Sequence, residues 1–141
     1  MAERASEPID LEATVAKASY ARCRAKPDFF AAFYRNFFAA CPQAAPLFAR
    51  TDFERQHKLL RHAFALLLLF PGQGDTEPDL LARIAERNSR RDLNIDPALY
   101  GPFVDSLIVT VRQHDPQFAP AVERAWRRTV ALGVAYMQAR Y

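Results

Sequence analysis

Asp28-Phe29-Phe30-Ala31-Ala32-Phe33-Tyr34-Arg35-Asn36-Phe37-Phe38 places six aromatic rings at spacings of three and four. That period winds them onto one broad face of an α-helix, whereas a half-buried strand would alternate. Asp28 is an acceptable N-cap and Cys41-Pro42 closes the segment, because proline cannot continue the ladder. Upstream, Pro27 ends a helix over residues 9–25 whose inward face is expected to carry Leu11, Val15, Ala18 and Ala21 or Arg22. Residues 1–8 read as an N-terminal extension and residues 9–141 as one domain. Downstream, Pro42 to Phe48 is bounded by prolines and suits one or two turns, with Phe48 as the buried anchor. Thr51-Asp52-Phe53-Glu54 has the form of a capping box and opens a helix to about Phe70, with Phe53, Gln56, Leu60, Ala63, Phe64 and Leu67 on one face.

The rest of the chain follows the same punctuation. Pro71-Gly72-Gln73-Gly74 breaks it, and Pro78-Asp79 begins a shorter helix with Leu80, Leu81, Ile84 and Ala85 inward. Asp96-Pro97 supplies an N-cap and a first-turn proline; the helix after it buries Tyr100, Phe103 or Val104, Leu107, Ile108 and Val111. A last helix from about Pro120 carries Val122, Trp126, Val130, Gly133, Val134 and Met137 inward. Six helical segments, without a turn-flanked alternating stretch, give an all-α chain.

Composition narrows the function. At 141 residues, half of them apolar, the chain can bury one sizeable core and has no room for a second catalytic domain. A net charge of +3, with basic residues scattered among acidic ones, argues against a nucleic-acid reader. The most apolar run, Phe64 to Phe70, spans seven residues, while crossing a bilayer takes about 20. Cys23 and Cys41 lack metal-type spacing and read as small core residues in a reducing compartment. The charged start from Met1 to Pro8 has no signal-peptide core, so a cytoplasmic protein is expected.

Several motifs agree in order and spacing with single-domain bacterial globins. Phe33-Tyr34-Arg35-Asn36-Phe37-Phe38, with Cys41-Pro42 and Pro46-Leu47-Phe48, resembles the second helix of that family, its distal tyrosine and the phenylalanine that wedges against haem. Gln56 and Leu60 resemble the distal glutamine and the apolar residue facing the gas. Leu93-Asn94-Ile95-Asp96-Pro97-Ala98-Leu99-Tyr100 followed by Phe103-Val104-Asp105-Ser106-Leu107 resembles the start of the seventh helix, and Ala125-Trp126 fits the last. The resemblance covers roughly Val15 to Tyr136. It implies a globin fold of six to eight helices, three over three around a haem pocket. It also implies haem b and a diatomic gas as partners, and it leaves a homodimer open. The cofactor would meet Tyr34, Phe48, Gln56, Leu60, Leu81, Asn88, Ile95 and Tyr100.

Moving the distal position to His57 would put Arg61 where Leu60 points, and an unpaired guanidinium in an apolar pocket is costly. With Gln56 kept, the proximal position falls 32 residues later, at Asn88 in Asn88-Ser89-Arg90, where the family has histidine, serine, arginine. A neutral imidazole nitrogen donates to iron; a carboxamide, with its nitrogen lone pair delocalised, does not replace it. Haem is then held by burial without a strong proximal ligand, or with imidazole or water from solution. Alternatively iron is taken from the other side by Tyr34 or His57, or haem is not bound and the fold serves as a sensory, structural or apolar-ligand module. No flavin or nicotinamide domain is present to feed electrons, so binding or sensing is expected rather than enzymic turnover.

The plainer readings of the same residues are structural. Tyr34 by composition is a core residue with its hydroxyl satisfied by backbone; Gln56, a buried amide, calls for a polar ligand or Tyr34 as partner. His57, His62 and His114 stand beside charged residues and read as solvated. Arg87, Arg90 and Arg91 could meet haem propionates but as a bare cluster read as a solvated face.

Overall fold

The computed structural model describes residues 8–69 and 97–139. Helix α1 (Pro8–Arg24) is followed by α2 (Phe29–Ala40), a 3-10 helix (Pro42–Phe48) and α3 (Phe53–Leu69). A 3-10 turn (Pro97–Leu99) leads into α4 (Tyr100–His114), and α5 is Pro120–Ala139. Every element among the described residues is helical, as the aromatic spacing predicts. The shorter helix expected after Pro78, and with it Leu81, Asn88, Ile95 and the Arg87, Arg90 and Arg91 cluster, lies outside the described residues.

The aromatic face of α2 is the centre of the core. Phe29, Phe30, Phe33, Tyr34 and Phe37 are all buried, and α2 packs most closely on α4. Phe64 of α3 fits edge-on against Phe33 at 5.5 Å and against Phe103 of α4 at 5.9 Å, while Phe33 and Phe103 meet at 5.0 Å. Such edge-to-face pairs favour a fixed geometry over a merely greasy one. Polar groups stitch the same seam: Asn36 Nδ2 donates to Thr110 Oγ1 at 2.9 Å, and that hydroxyl donates to the Ser106 carbonyl at 2.7 Å.

Helix α1 turns the opposite face inward from the one expected. Leu11 is 63% and Val15 39% exposed, and Ala18 and Ala21 are exposed too. The buried face is Ala13, Ala16, Ser19, Tyr20 and Cys23. Apolar residues lie on both sides of this helix, so periodicity alone does not choose. What chooses is the partner. Alanine, serine and cysteine let α1 approach α5, its main packing partner, and Ser19 Oγ accepts the indole N–H of fully buried Trp126 at 2.9 Å. An indole donor buried without that acceptor would be expensive.

Ser19 belongs to a larger network around Asp115, the residue that ends α4. Ser19 Oγ donates to Asp115 Oδ2 at 2.6 Å, Arg22 donates through Nε to Oδ1 at 2.6 Å and through Nη2 to Oδ2 at 2.9 Å, and the Gln117 amide donates to Oδ1 at 2.8 Å. The Asp115 side chain has no exposed surface, whereas Arg22 keeps 26%. Burial alone would push the carboxyl pKa up; the donors from Arg22, Ser19 and Gln117 outweigh it and hold the pKa below the ordinary carboxylate value. A charge is thereby buried with its lone pairs answered, which is the condition for tolerating it.

The helix starts differ in detail from the sequence reading. Asp52, not Thr51, caps α3: its Oδ1 accepts from the amides of Glu54 at 3.1 Å and Arg55 at 3.4 Å. Thr51 is held one step back, because its amide closes on the Phe48 carbonyl at 3.1 Å. Asp28 precedes α2 but makes no side-chain cap bond. Its carboxylate instead faces Arg35 at 3.9 Å and His114 Nε2 at 3.4 Å. In the Pro42–Phe48 segment the buried residue is Ala44, and the expected anchor Phe48 is half-buried. Cys23 and Cys41 are free and buried, as small core residues should be.

Candidate functional site

The second turn of α2 carries Tyr34 into a shell of rings. Phe33, Phe38, Phe48 and Phe53 surround it at centroid distances of 5.3, 5.7, 5.5 and 5.4 Å. His57 stacks on it at 5.8 Å, nearly parallel. Only 5% of Tyr34 is exposed. Because Asp52 fixes the start of α3, Phe53, Gln56 and His57 share the side of that helix that meets Tyr34. Gln56 Nε2 donates to the Tyr34 hydroxyl at 3.0 Å. Leu60 follows Gln56 by one helical turn and is 5% exposed.

Burial raises the pKa of the Tyr34 hydroxyl to about 12, although the Gln56 hydrogen bond pulls the other way. Near neutral pH the phenol therefore keeps its proton. With its oxygen accepting from Gln56, its own O–H is a donor for a second partner. A buried donor can hold a small molecule with an acceptor atom, and in a water-poor setting that bond is strong. Gln56→Leu is expected to destabilise the fold by about 1 kcal/mol, the worth of one part-buried hydrogen bond, in urea denaturation. A loss below a few tenths would mean that Gln56 does not anchor the tyrosine.

The placement of the other candidates is uneven. Tyr34 touches both Phe48 and Gln56, and Leu60 lies on the same helix as Gln56. Tyr100 opens α4 and is buried in the core from that side. Arg61, which the alternative register would have pointed inward, is exposed and lies over the Phe30 ring at 5.2 Å. The expectation of three solvated histidines holds only for His62, which is exposed. His57 is half-buried on Tyr34. His114 has 10% of its side chain exposed; Nδ1 lies 2.8 Å from the Thr110 carbonyl and the ring meets the edge of Phe29 at 5.5 Å. Since a carbonyl only accepts, Nδ1 carries the hydrogen. The Phe53 and His57 spacing of four was the available signal that His57 joins the ring shell; charged neighbours in sequence masked it.

Comparison with solved structures gives the same architecture independently. A Pseudomonas aeruginosa protein whose crystal structure is described as structurally highly homologous to a human hemoglobin superposes with a TM-score of 0.86 at 35% sequence identity. The match covers 92% of this chain and 98% of that one. No protein-family profile and no curated protein matches the chain. The chain belongs to the hemoglobin-like family of this Pseudomonas protein, and its fold is the globin fold.

A globin fold suggests haem, and among the described residues the donors that suit it lie on one side. The Tyr34, Gln56 and Leu60 set offers a hydrogen-bond donor, its positioning partner and an apolar neighbour, the chemistry needed above a bound gas. For an axial imidazole on the other side the described residues do not fit. His57 is stacked on Tyr34, His62 is on the surface, and His114 is engaged by Thr110 and Asp28. Among the described residues no group of three or more His, Cys, Asp or Glu side chains could hold a metal ion.

Proposed function

We propose that the chain is a haem-binding globin for a diatomic gas, oxygen or NO, acting by binding, storage or sensing, with the proximal position occupied by Asn88 instead of histidine. The observation that carries this reading is the Gln56 amide held against the buried Tyr34 hydroxyl, 3.0 Å away. That bond turns the phenol proton toward whatever enters beside Leu60. The hemoglobin likeness of the Pseudomonas relative supports the cofactor class. Phe48, Leu81, Ile95 and Tyr100 would supply apolar contact to haem b, and bound haem would supply the iron that takes the gas. This chain's own residues orient the ligand, exclude water from it and donate the Tyr34 proton in a hydrogen bond. Turnover is not part of the reading, since electrons would have to come from outside the chain. A cytoplasmic setting is consistent with two free, buried cysteines. Among the described residues, no helix is long and apolar enough to cross a membrane.

Titration of the purified protein with haemin tests it. A saturable Soret change is expected, and its absence would remove the haem reading. In that case the engagement of His57 and His114 elsewhere favours a haem-free module that holds an apolar ligand or serves a structural or sensory role. That second reading expects Tyr34 and Gln56 variants to change stability while leaving any haem-dependent signal unaltered.

A further inference from the structure

A groove of about 220 Å³ runs between α1 and α3, away from Tyr34, lined by Lys17, Tyr20, Ala21, Arg24, Ala65 and Leu68. Its floor is apolar: Leu68 is 2% and Tyr20 5% exposed. Two alanines, one from each helix, leave the space that larger side chains would have closed. Lys17, Ala21 and Arg24 follow at intervals of four and three, so they form one stripe along α1. The two cations are separated by roughly 10 Å of helix rise, with the alanine between them. Among the described residues, no carboxylate lines the groove. Arg24 is held over the Tyr20 ring, 5.8 Å from its centroid, and the Tyr20 hydroxyl donates to the Arg61 carbonyl at 3.0 Å. Burial raises that hydroxyl's pKa to about 12, so near neutral pH the groove floor carries no charge of its own.

We propose that the α1 and α3 groove binds a small aliphatic carboxylate, its hydrocarbon chain on Tyr20, Ala21, Ala65 and Leu68 and its anionic head between Lys17 and Arg24. Charge complementarity selects this occupant: an apolar floor alone would accept any tail, but a rim of two cations with no carboxylate among its described residues favours an anion over a neutral molecule. The groove is separate from the Tyr34 and Gln56 pair and does not depend on haem.

Calorimetric titration with sodium octanoate tests it, with octan-1-ol as the neutral control and amide chemical shifts as the map. Saturable octanoate binding is expected, with shifts at Tyr20, Ala21 and Ala65, and octan-1-ol should bind much more weakly. The double variant Lys17→Glu/Arg24→Glu should weaken octanoate by about tenfold or more, the sum of two rim charge contacts each turned repulsive. Ala21→Leu, at an exposed position that suits a good helix former, should abolish binding by filling the groove with an unchanged circular dichroism spectrum. It keeps the test decisive should the charge reversal disturb folding. Equal affinity for octan-1-ol would overturn the proposal, as would shifts clustered at Tyr34 and Leu60. So would binding to phosphatidylglycerol vesicles without any response to free octanoate, which would make the basic stripe a membrane-facing surface.

Discussion

Asp115→Ala is expected to lower the unfolding free energy by about 3 kcal/mol, near the lower end of what breaking a buried ion pair costs. The carboxylate is the single acceptor shared by Ser19, Arg22 and the Gln117 amide. Removing it strands three donors, one of them a guanidinium, and loosens the Ser19 hydroxyl on which Trp126 rests. Arg22 keeps 26% of its side chain in solvent, so water recovers part of its loss and the figure stays below the top of the range. Chemical denaturation at pH 7 measures it, and a change under 1 kcal/mol would show that the network is incidental. The same group sets an acid limit. Its folded pKa is held below the ordinary carboxylate value by its donors, so its stabilisation is complete above the unfolded value of roughly 4. The stabilisation is lost as the pH falls through the lower folded value. Wild-type stability should therefore drop below about pH 4, and Asp115→Ala should flatten that part of the profile.

Asn88→His is the second large effect, and it acts on the cofactor rather than on the fold. Outer-shell partners of a metal ligand commonly carry about 10- to 100-fold in affinity; installing the ligand itself should exceed that. Haemin affinity is expected to rise by more than about a hundredfold, and the spectrum should become that of a histidine-bound iron. Identical spectra for the two proteins would show that position 88 does not face the iron. The assignment of the fold does not rest on this residue: the chain superposes on the hemoglobin-like relative over 92% of its length. The proposed function does, because gas binding in that proposal rests on how iron would be held opposite Tyr34.

Legibility tracked how many partners a residue needs. The rings of α2 declare themselves through spacing alone, and the outcome matches at Phe29, Phe30, Phe33 and Phe37. Gln56 was legible because a buried amide demands a partner, and Tyr34 proved to be that partner. The inward face of α1 was not legible, since Leu11 and Val15 make an equally regular stripe. Only the indole of Trp126, 107 positions away, decides in favour of Ser19. Nothing local marks Asp115 as a hub, because its four donor contacts come from α1 and the chain just beyond α4. His114 was misread for the same reason, because the groups that enclose it, Phe29 and Asp28, come from the first residue of α2 and the one before it. Local pattern reports helices well and reports polar networks across helices poorly.

The closeness of α1 to α5 also has a bearing on time. A ribosome delivers roughly 5–20 residues each second, so Ser19 waits several seconds before Trp126 exists to meet it. During that interval α1 has the rings of α2 and α3 within reach through Tyr20, which meets Phe29 and Phe64, but its small-residue face has nothing to cover it. Contacts of such long sequence separation are formed late and slow the search. The docking of α5 is thus the step expected to complete folding, and a refolding experiment should find Trp126 fluorescence among the last signals to reach its native value.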